Sequence, residues 1–191
     1  MEEKAFQENI TLTNIRENLV ASALARKGGC SLIFNEDPAS RADYDYCLYK
    51  PQTGFAVRID QQEDYFTTSM DGTLLMELYT LQPDGTKKAG KLNYSKADKI
   101  LFIINKIKKA LLIDLKVIKN YIIKKELSGD LKILEPDAGW VQRNDTSPAL
   151  CAILPIQDLL LEDPTNKVYN FYELNLPENY DQYQFPRYNH H

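Results

Sequence analysis

The chemistry open to this 191-residue chain is bounded by what it lacks. Its two histidines, His190 and His191, occupy the last two positions, where chain ends fray. A Ser-His-Asp or Cys-His nucleophile system, an HExxH zinc site and a two-His-one-carboxylate iron site all need an internal histidine, so all are excluded. The three cysteines, Cys30, Cys47 and Cys151, are widely spaced and odd in number, with neither zinc-ligand spacing nor a disulfide framework. Cys30 and Cys151 lie in apolar runs and read as buried thiols. Carboxylates, Lys, Arg and Tyr remain, alone or with a metal ion.

Those groups gather in one stretch. Asp43–Tyr49, Phe55–Asp60 and Gly72–Thr80 read as consecutive strands. Alternate residues of a strand share a face, so Ala56, Arg58 and Asp60 point together, away from Phe55, Val57 and Ile59. Asp45 on the strand before and Glu77 on the strand after are expected to converge there. Two or three carboxylates and a cation on neighbouring strands can hold a divalent ion against a phosphodiester. The expected metal ligands are therefore Asp45, Asp60 and Glu77. Mg²⁺ or Mn²⁺ is the expected ion, since Mg²⁺ takes oxygen ligands and keeps several waters. Plainer roles stand beside these: Arg58 as a cation paired across the sheet, Glu77 as an outward carboxylate fixed by alternation, Glu17 as a helix cap and Asp98 as a capping or turn residue.

The charge distribution points to a partner. Between Lys87 and Lys132 thirteen lysines face four acids, a surplus of nine positive charges, and the rest of the chain carries thirteen negative charges in excess, for a net −4. Such asymmetry marks a phosphate-binding face beside an acidic one, or the solvated faces of helices and turns. Lys87, Lys88, Lys91, Lys96 and Lys99 flank the carboxylates on a loop and are the expected nucleic-acid contacts. No run approaches the ~20 apolar residues of a membrane span. The opening MEEKAFQENI is acidic without an apolar core, so a cytoplasmic protein is expected.

The elements that must hold these residues follow from periodicity and punctuation. Asn14-Ile15-Arg16-Glu17 has the form of a capping box opening a helix over 14–27, stopped by Gly28-Gly29. Cys30–Phe34 is a short strand, Ala42–Tyr49 a Tyr-rich one and Phe55–Asp60 a third; Gln61–Asp71 reads as polar and irregular. Lys99–Ile104 reads as a buried strand, Asn105–Lys109 as a basic turn and Ala110–Ile113 as a strand, and Asp114 caps a helix over 115–127. Leu131–Leu134 and Ala149–Leu154 are short strands, and Pro155–Leu161 opens a helix. Residues 1–161 form one domain, and 162–191, rich in Tyr, Asn, Pro and acids, read as an extended tail. With 43% apolar and 26% charged residues, the composition is that of a globular α+β (mixed α/β) protein.

Tyr44-Asp45, FAVRID at 55–60, GTLLMEL at 72–78 and SKAD at 95–98, in that order, resemble the PD-(D/E)XK nuclease superfamily, in particular its small phage-type members. LLIDLKVIKNYI at 111–122 and Arg143–Ser147 ahead of Leu154-Pro155 continue the likeness, which spans about residues 14–160. The resemblance implies a restriction-endonuclease-like core, a central mixed sheet flanked by helices, and metal-assisted phosphodiester hydrolysis of DNA. It implies Asp45, Arg58 and Glu77 as the catalytic set. It also exposes a departure. The family's second strand carries Glu-x-Lys, whose Glu binds metal and whose Lys positions water or phosphate; here Ala56 and Arg58 stand at those places, and Arg58 keeps the charge in a different geometry. A catalytically inactive relative that binds nucleic acid or a protein is the second expectation, with a homodimer or a protein partner met through the tail.

Overall fold

The computed structural model describes residues 2–37, 39–40, 42–82, 84–135, 148–176 and 180, with side chains from residue 15 onward. Arg143–Ser147 lie outside the described residues. The fold is α+β, built on a six-stranded and a four-stranded sheet with helices packed against them.

A long helix, α1 (Glu2–Gly28), leads into β1 (Ser31–Phe34), β2 (Tyr46–Lys50) and β3 (Phe55–Asp64). Strands β4 (Thr73–Leu81) and β5 (Lys87–Ala89) come next, then the one-turn helix α2 (Lys91–Tyr94). Strands β6 (Lys99–Ile104) and β7 (Lys109–Asp114) precede helix α3 (Leu115–Ser128). Strands β8 (Ile133–Leu134) and β9 (Ala149–Pro155), helix α4 (Ile156–Glu162) and strand β10 (Lys167–Asn170) complete the order. Six strands form one sheet in the order β1-β2-β3-β6-β7-β10, and four form the other in the order β5-β4-β9-β8. The large sheet is mixed: β3 pairs parallel with β6, and its other neighbours are antiparallel.

Strand β6 shows why the sheet sits in the middle. After Lys99, its ILFII run is buried on both faces, as an apolar strand must be. Ile100, Phe102 and Ile104 enter the core shared with Leu74, Met76 and Leu78 of β4 and Ile118 of α3. Leu101 and Ile103 enter a second core with Val20 and Leu24 of α1 and Ile59 of β3. Each fully buried aliphatic side chain contributes about 1.5–3 kcal/mol, so the two cores lock the large sheet between α1 and the small sheet.

Helix α3 starts and stops where the sequence signals it. The Asp114 carboxylate accepts from the Lys116 amide at 2.9 Å, and Gly129 turns left-handed (φ 76°) to end the helix.

Five features depart from the expectations. The helix expected from Asn14 begins at Glu2, because nothing in residues 2–13 breaks it; Glu17 is thus a mid-helix residue rather than a cap. Strand β2 begins at Tyr46, and residues 42–45 form a turn. Strand β3 runs on to Asp64 through residues read as irregular, because Gln61–Asp64 pair with Leu101–Ile104 of β6. The segment from 162, expected as a tail, supplies β10 to the sheet edge against β7, and Phe171, Leu174 and Tyr180 to the core beneath α1. The cysteines expected to be buried, Cys30 and Cys151, are half-buried.

Candidate active site at the end of the β2–β3 hairpin

The register of one hairpin decides which residues meet. Strand β2 pairs with β3 as Tyr46↔Ile59 through Lys50↔Phe55, joined by a turn over 51–54. Ala56 lies opposite Tyr49 near the turn, and Ala56 and Arg58 are both exposed. The residue beside Asp45 is Asp60. The Asp45 amide donates to the Ile59 carbonyl at 2.9 Å, closing the ladder. The Asp45 carboxylate then accepts from the Gln61 amide at 2.6 Å, replacing the partner that β2 no longer offers.

Asp60 is the unusual member. It is 1% exposed, buried where the hairpin faces the small sheet. No well-aligned hydrogen bond reaches either of its oxygens among the described residues. Its compensation is ionic: the Lys91 ammonium stands 2.5 Å from Asp60 Oδ1. Burial pushes the Asp60 carboxyl up to about 6, with Lys91 pulling it down and the Asp45 charge pushing it up. Burial lowers the Lys91 pKa, but Asp60 and Asp45 together hold it above the ordinary value.

Lys91 arrives from the small sheet. Gly90 precedes it, with its amide donating to the Leu78 carbonyl at 2.8 Å. A Cβ on Gly90 would fall 2.7 Å from the Leu78 carbonyl carbon, so only glycine lets α2 lie this close to β4. Asn93 Nδ2 also donates to the Leu78 carbonyl at 2.8 Å, and Leu92 is buried. Tyr94, one turn after Lys91, feels the charges of Lys91, Glu77, Asp60 and Asp45, and burial and those carboxylates raise its phenol.

The other expected site residues fall elsewhere. Arg58 is clamped by Asp98, whose carboxylate accepts from the Arg58 amide at 2.8 Å, from Nε at 3.2 Å and from Nη2 at 3.0 Å. That ion pair is exposed, and Asp98, expected to cap or turn, ties β3 to the start of β6. Glu77 sits on the outer face of β4, because Leu74, Met76 and Leu78 take the inner one; its carboxylate accepts from Thr80 Oγ1 at 2.8 Å. The structure thus brings Asp45 and Asp60 together and leaves Glu77 and Arg58 out. No group of three or more His, Cys, Asp or Glu side chains is arranged around a common point among the described residues. Of the five basic residues, Lys91 is drawn onto Asp60. Lys96 pairs with Asp43 at 2.8 Å, Lys99 with Asp114 at 3.6 Å, and Lys87 and Lys88 lie exposed on β5.

A second polar cluster lies on the opposite face of β3, under α1. Arg16, 1% exposed, donates through Nη2 to Glu63 Oε2 and to Asn105 Oδ1, each at 2.7 Å, and through Nη1 to the Tyr65 hydroxyl. Its guanidinium stacks 4.9 Å from the Tyr180 ring centroid, and Tyr180 donates to Glu63 Oε1 at 3.1 Å. No spacing in the sequence announces this cluster. Its signal is a polar residue at an inward position of each element, legible only once β3 is extended past Asp60.

No protein-family model and no curated protein matches the chain. Among solved structures it is similar to a bacterial homing endonuclease, I-Ssp6803I, at 11% identity and a TM-score of 0.41, covering 57% of this chain and 73% of that one. A likeness of that size carries no argument about activity, which rests on the side chains.

Proposed function

We propose that this chain is a nuclease-like protein of the PD-(D/E)XK type that acts on DNA, with Asp45, Asp60 and Lys91 as its working groups. The observation that carries the reading is Asp60, a fully buried carboxylate set beside a second carboxylate and against an ammonium. Burying a charge in the middle of a strand is expensive, and a well-packed apolar residue would be at least as stable there. Structure alone gives no reason for it, whereas a reacting phosphodiester does.

The donor set fits a hard divalent ion. Mg²⁺ is held by one or two carboxylates together with substrate phosphates, and Asp60 presents a buried carboxylate whose close cation among the described residues is the Lys91 ammonium on Oδ1. Asp60 and Asp45 would hold Mg²⁺ or Mn²⁺, which supplies positive charge to the phosphate and lowers the pKa of a bound water. Lys91 brings the ammonium that the resemblance places on the second strand, and brings it from α2. Placed against a phosphate, that ammonium stabilises the charge that builds on the oxygens during attack. The Asp45 backbone bond to Ile59 and its carboxylate bond to Gln61 fix it rigidly, as positioning of a ligand requires.

The test is cleavage of supercoiled plasmid and of single-stranded DNA with Mg²⁺ or Mn²⁺. Metal-dependent cleavage that is lost in Asp60→Asn and in Asp45→Asn is the expected result. DNA retention that weakens with salt, without cleavage under either metal, identifies a binder that does not cut and overturns the enzymatic reading.

A further inference from the structure

The geometry of α2 restricts how the site can be loaded. Lys91 cannot withdraw by moving its backbone: Gly90 and Asn93 both bond the Leu78 carbonyl, and Leu92 is buried beside them. The Cβ-free approach of Gly90 to β4 leaves no slack in that anchor. Its side chain is different. The side chain is 26% exposed overall, and four rotatable bonds let the ammonium travel several ångströms about a fixed Cα. Asp60, by contrast, is 1% exposed and cannot move to meet a ligand.

Taking Asp60 as a metal ligand, as proposed above, we infer that the Lys91 ammonium and a divalent ion are alternative occupants of the Asp60 carboxylate, so that loading requires Lys91 to swing outward on its anchored helix. At 2.5 Å from Oδ1 the ammonium covers the side from which a hard cation would approach. A divalent and a monovalent cation on one carboxylate oxygen in a low-dielectric setting repel strongly. The other carboxylate acting on Asp60 among the described residues, Asp45, already has one oxygen committed to the Gln61 amide. Swung outward, the ammonium leaves Asp60 and moves toward solvent, while Tyr94, one turn on, shares the field of the same groups. In that position the ammonium stands at the mouth of the site, where a phosphate of the substrate arrives. Lys91 is then a positioning residue whose place depends on occupancy of Asp60.

The experiment measures Mn²⁺ binding to the full chain by the loss of the free-ion electron paramagnetic resonance signal, for wild type, Lys91→Met and Asp60→Asn. The expected result is that Lys91→Met binds Mn²⁺ at least about tenfold more tightly than wild type, while Asp60→Asn does not bind. Equal or weaker binding by Lys91→Met overturns the competition while leaving the metal reading intact. Absence of binding in both wild type and Lys91→Met overturns both. Because Lys91→Met leaves Asp60 without its counter-ion and can impair folding, a second measurement uses the wild type alone: crystals soaked with Mn²⁺. Lys91 Nζ displaced from Asp60, with the anomalous peak in its place, supports the inference; an ion elsewhere with Lys91 still on Asp60 overturns it.

Discussion

Asp60 and Lys91 meet at 2.5 Å although they come from different sheets, Asp60 from the middle of β3 and Lys91 from the helix that follows β5. Their contact joins the large sheet to the small one at the point where the β2–β3 ladder ends. Neither residue is a natural partner of the other in sequence, and the pair exists only because Gly90 lets α2 press against β4.

This pairing changes what repair of the family motif would do. Ala56 and Arg58 occupy the expected Glu-x-Lys places in sequence, yet both are exposed toward the hairpin turn, and Arg58 is held by Asp98. Restoring the motif with Ala56→Glu and Arg58→Lys should therefore leave cleavage unchanged within about twofold, whereas Asp60→Asn should lower it by at least about a hundredfold. Parallel plasmid-nicking assays on the two variants check it. A gain of activity in the first variant would place the reactive centre at the hairpin turn instead.

Much of the fold was legible. The ILFII run behind Lys99 marks β6 to the residue, and Asp114 and Gly129 frame α3, because caps and apolar runs are local signals. The meeting of Asp45 and Asp60 is legible because alternation on neighbouring strands is local; the run of β3 past Asp60 is not, because it outlasts the apolar pattern. Its far half, Gln61–Asp64, is polar yet paired, held by β6 on one edge and by the Asp45 carboxylate at its start. In the sequence Lys91 is one basic residue among five, since nothing there shows that α2 folds back over β3. Likewise β10 leaves no sequence signal, because a four-residue edge strand carries too few residues to show a period.

The pH dependence of stability follows from Asp60. Its carboxyl titrates at about 6 in the folded protein against an ordinary 3.8. Between those values the folded chain retains a proton that the unfolded chain has lost, so this group makes stability fall as pH rises from about 4 to 6. Lys91 acts at the other end: its pKa is raised, so its contribution is present below its ordinary 10.5 and is lost as pH climbs past its folded value. Asp60→Asn removes the acid-side slope. Thermal melts at pH 4, 5, 6 and 7 should show the variant gaining on wild type as pH rises; parallel curves would mean that Asp60 keeps an ordinary pKa.

The Arg16 cluster should be the most sensitive polar point of the fold. Arg16→Met keeps the apolar stem and deletes the guanidinium, leaving the buried Glu63 carboxylate without its cation. Breaking such a pair from one side costs about 3–5 kcal/mol. Tyr180→Phe removes one hydrogen bond to the same carboxylate and should cost about 1–2 kcal/mol. Since both act through Glu63, the double variant should lose less than the sum of the two. Urea denaturation of the four proteins measures the coupling, and strict additivity would show that Tyr180 and Arg16 act independently.

The basic surplus can be divided by the same structure. Lys96 and Lys99 are each within ion-pair distance of a carboxylate, Asp43 and Asp114, and a lysine already neutralised releases few counter-ions when DNA binds. Lys87 and Lys88 project from β5, the edge of the small sheet, and no carboxylate pairs with either among the described residues. If the DNA path crosses this edge on its way to Asp60, these two carry the phosphate contacts. Lys87→Ala with Lys88→Ala should then lower affinity similarly for unrelated duplex sequences and reduce the slope of log K against log salt by about 2. Lys96→Ala should change that slope by less than about half a unit, because the charge it removes is already matched by Asp43. Fluorescence anisotropy across a salt series separates the two outcomes. An unchanged slope in the Lys87, Lys88 variant would move the DNA path off the β5 edge and onto another part of the basic segment, of which α3, with Lys116, Lys119, Lys124 and Lys125, is the richest element.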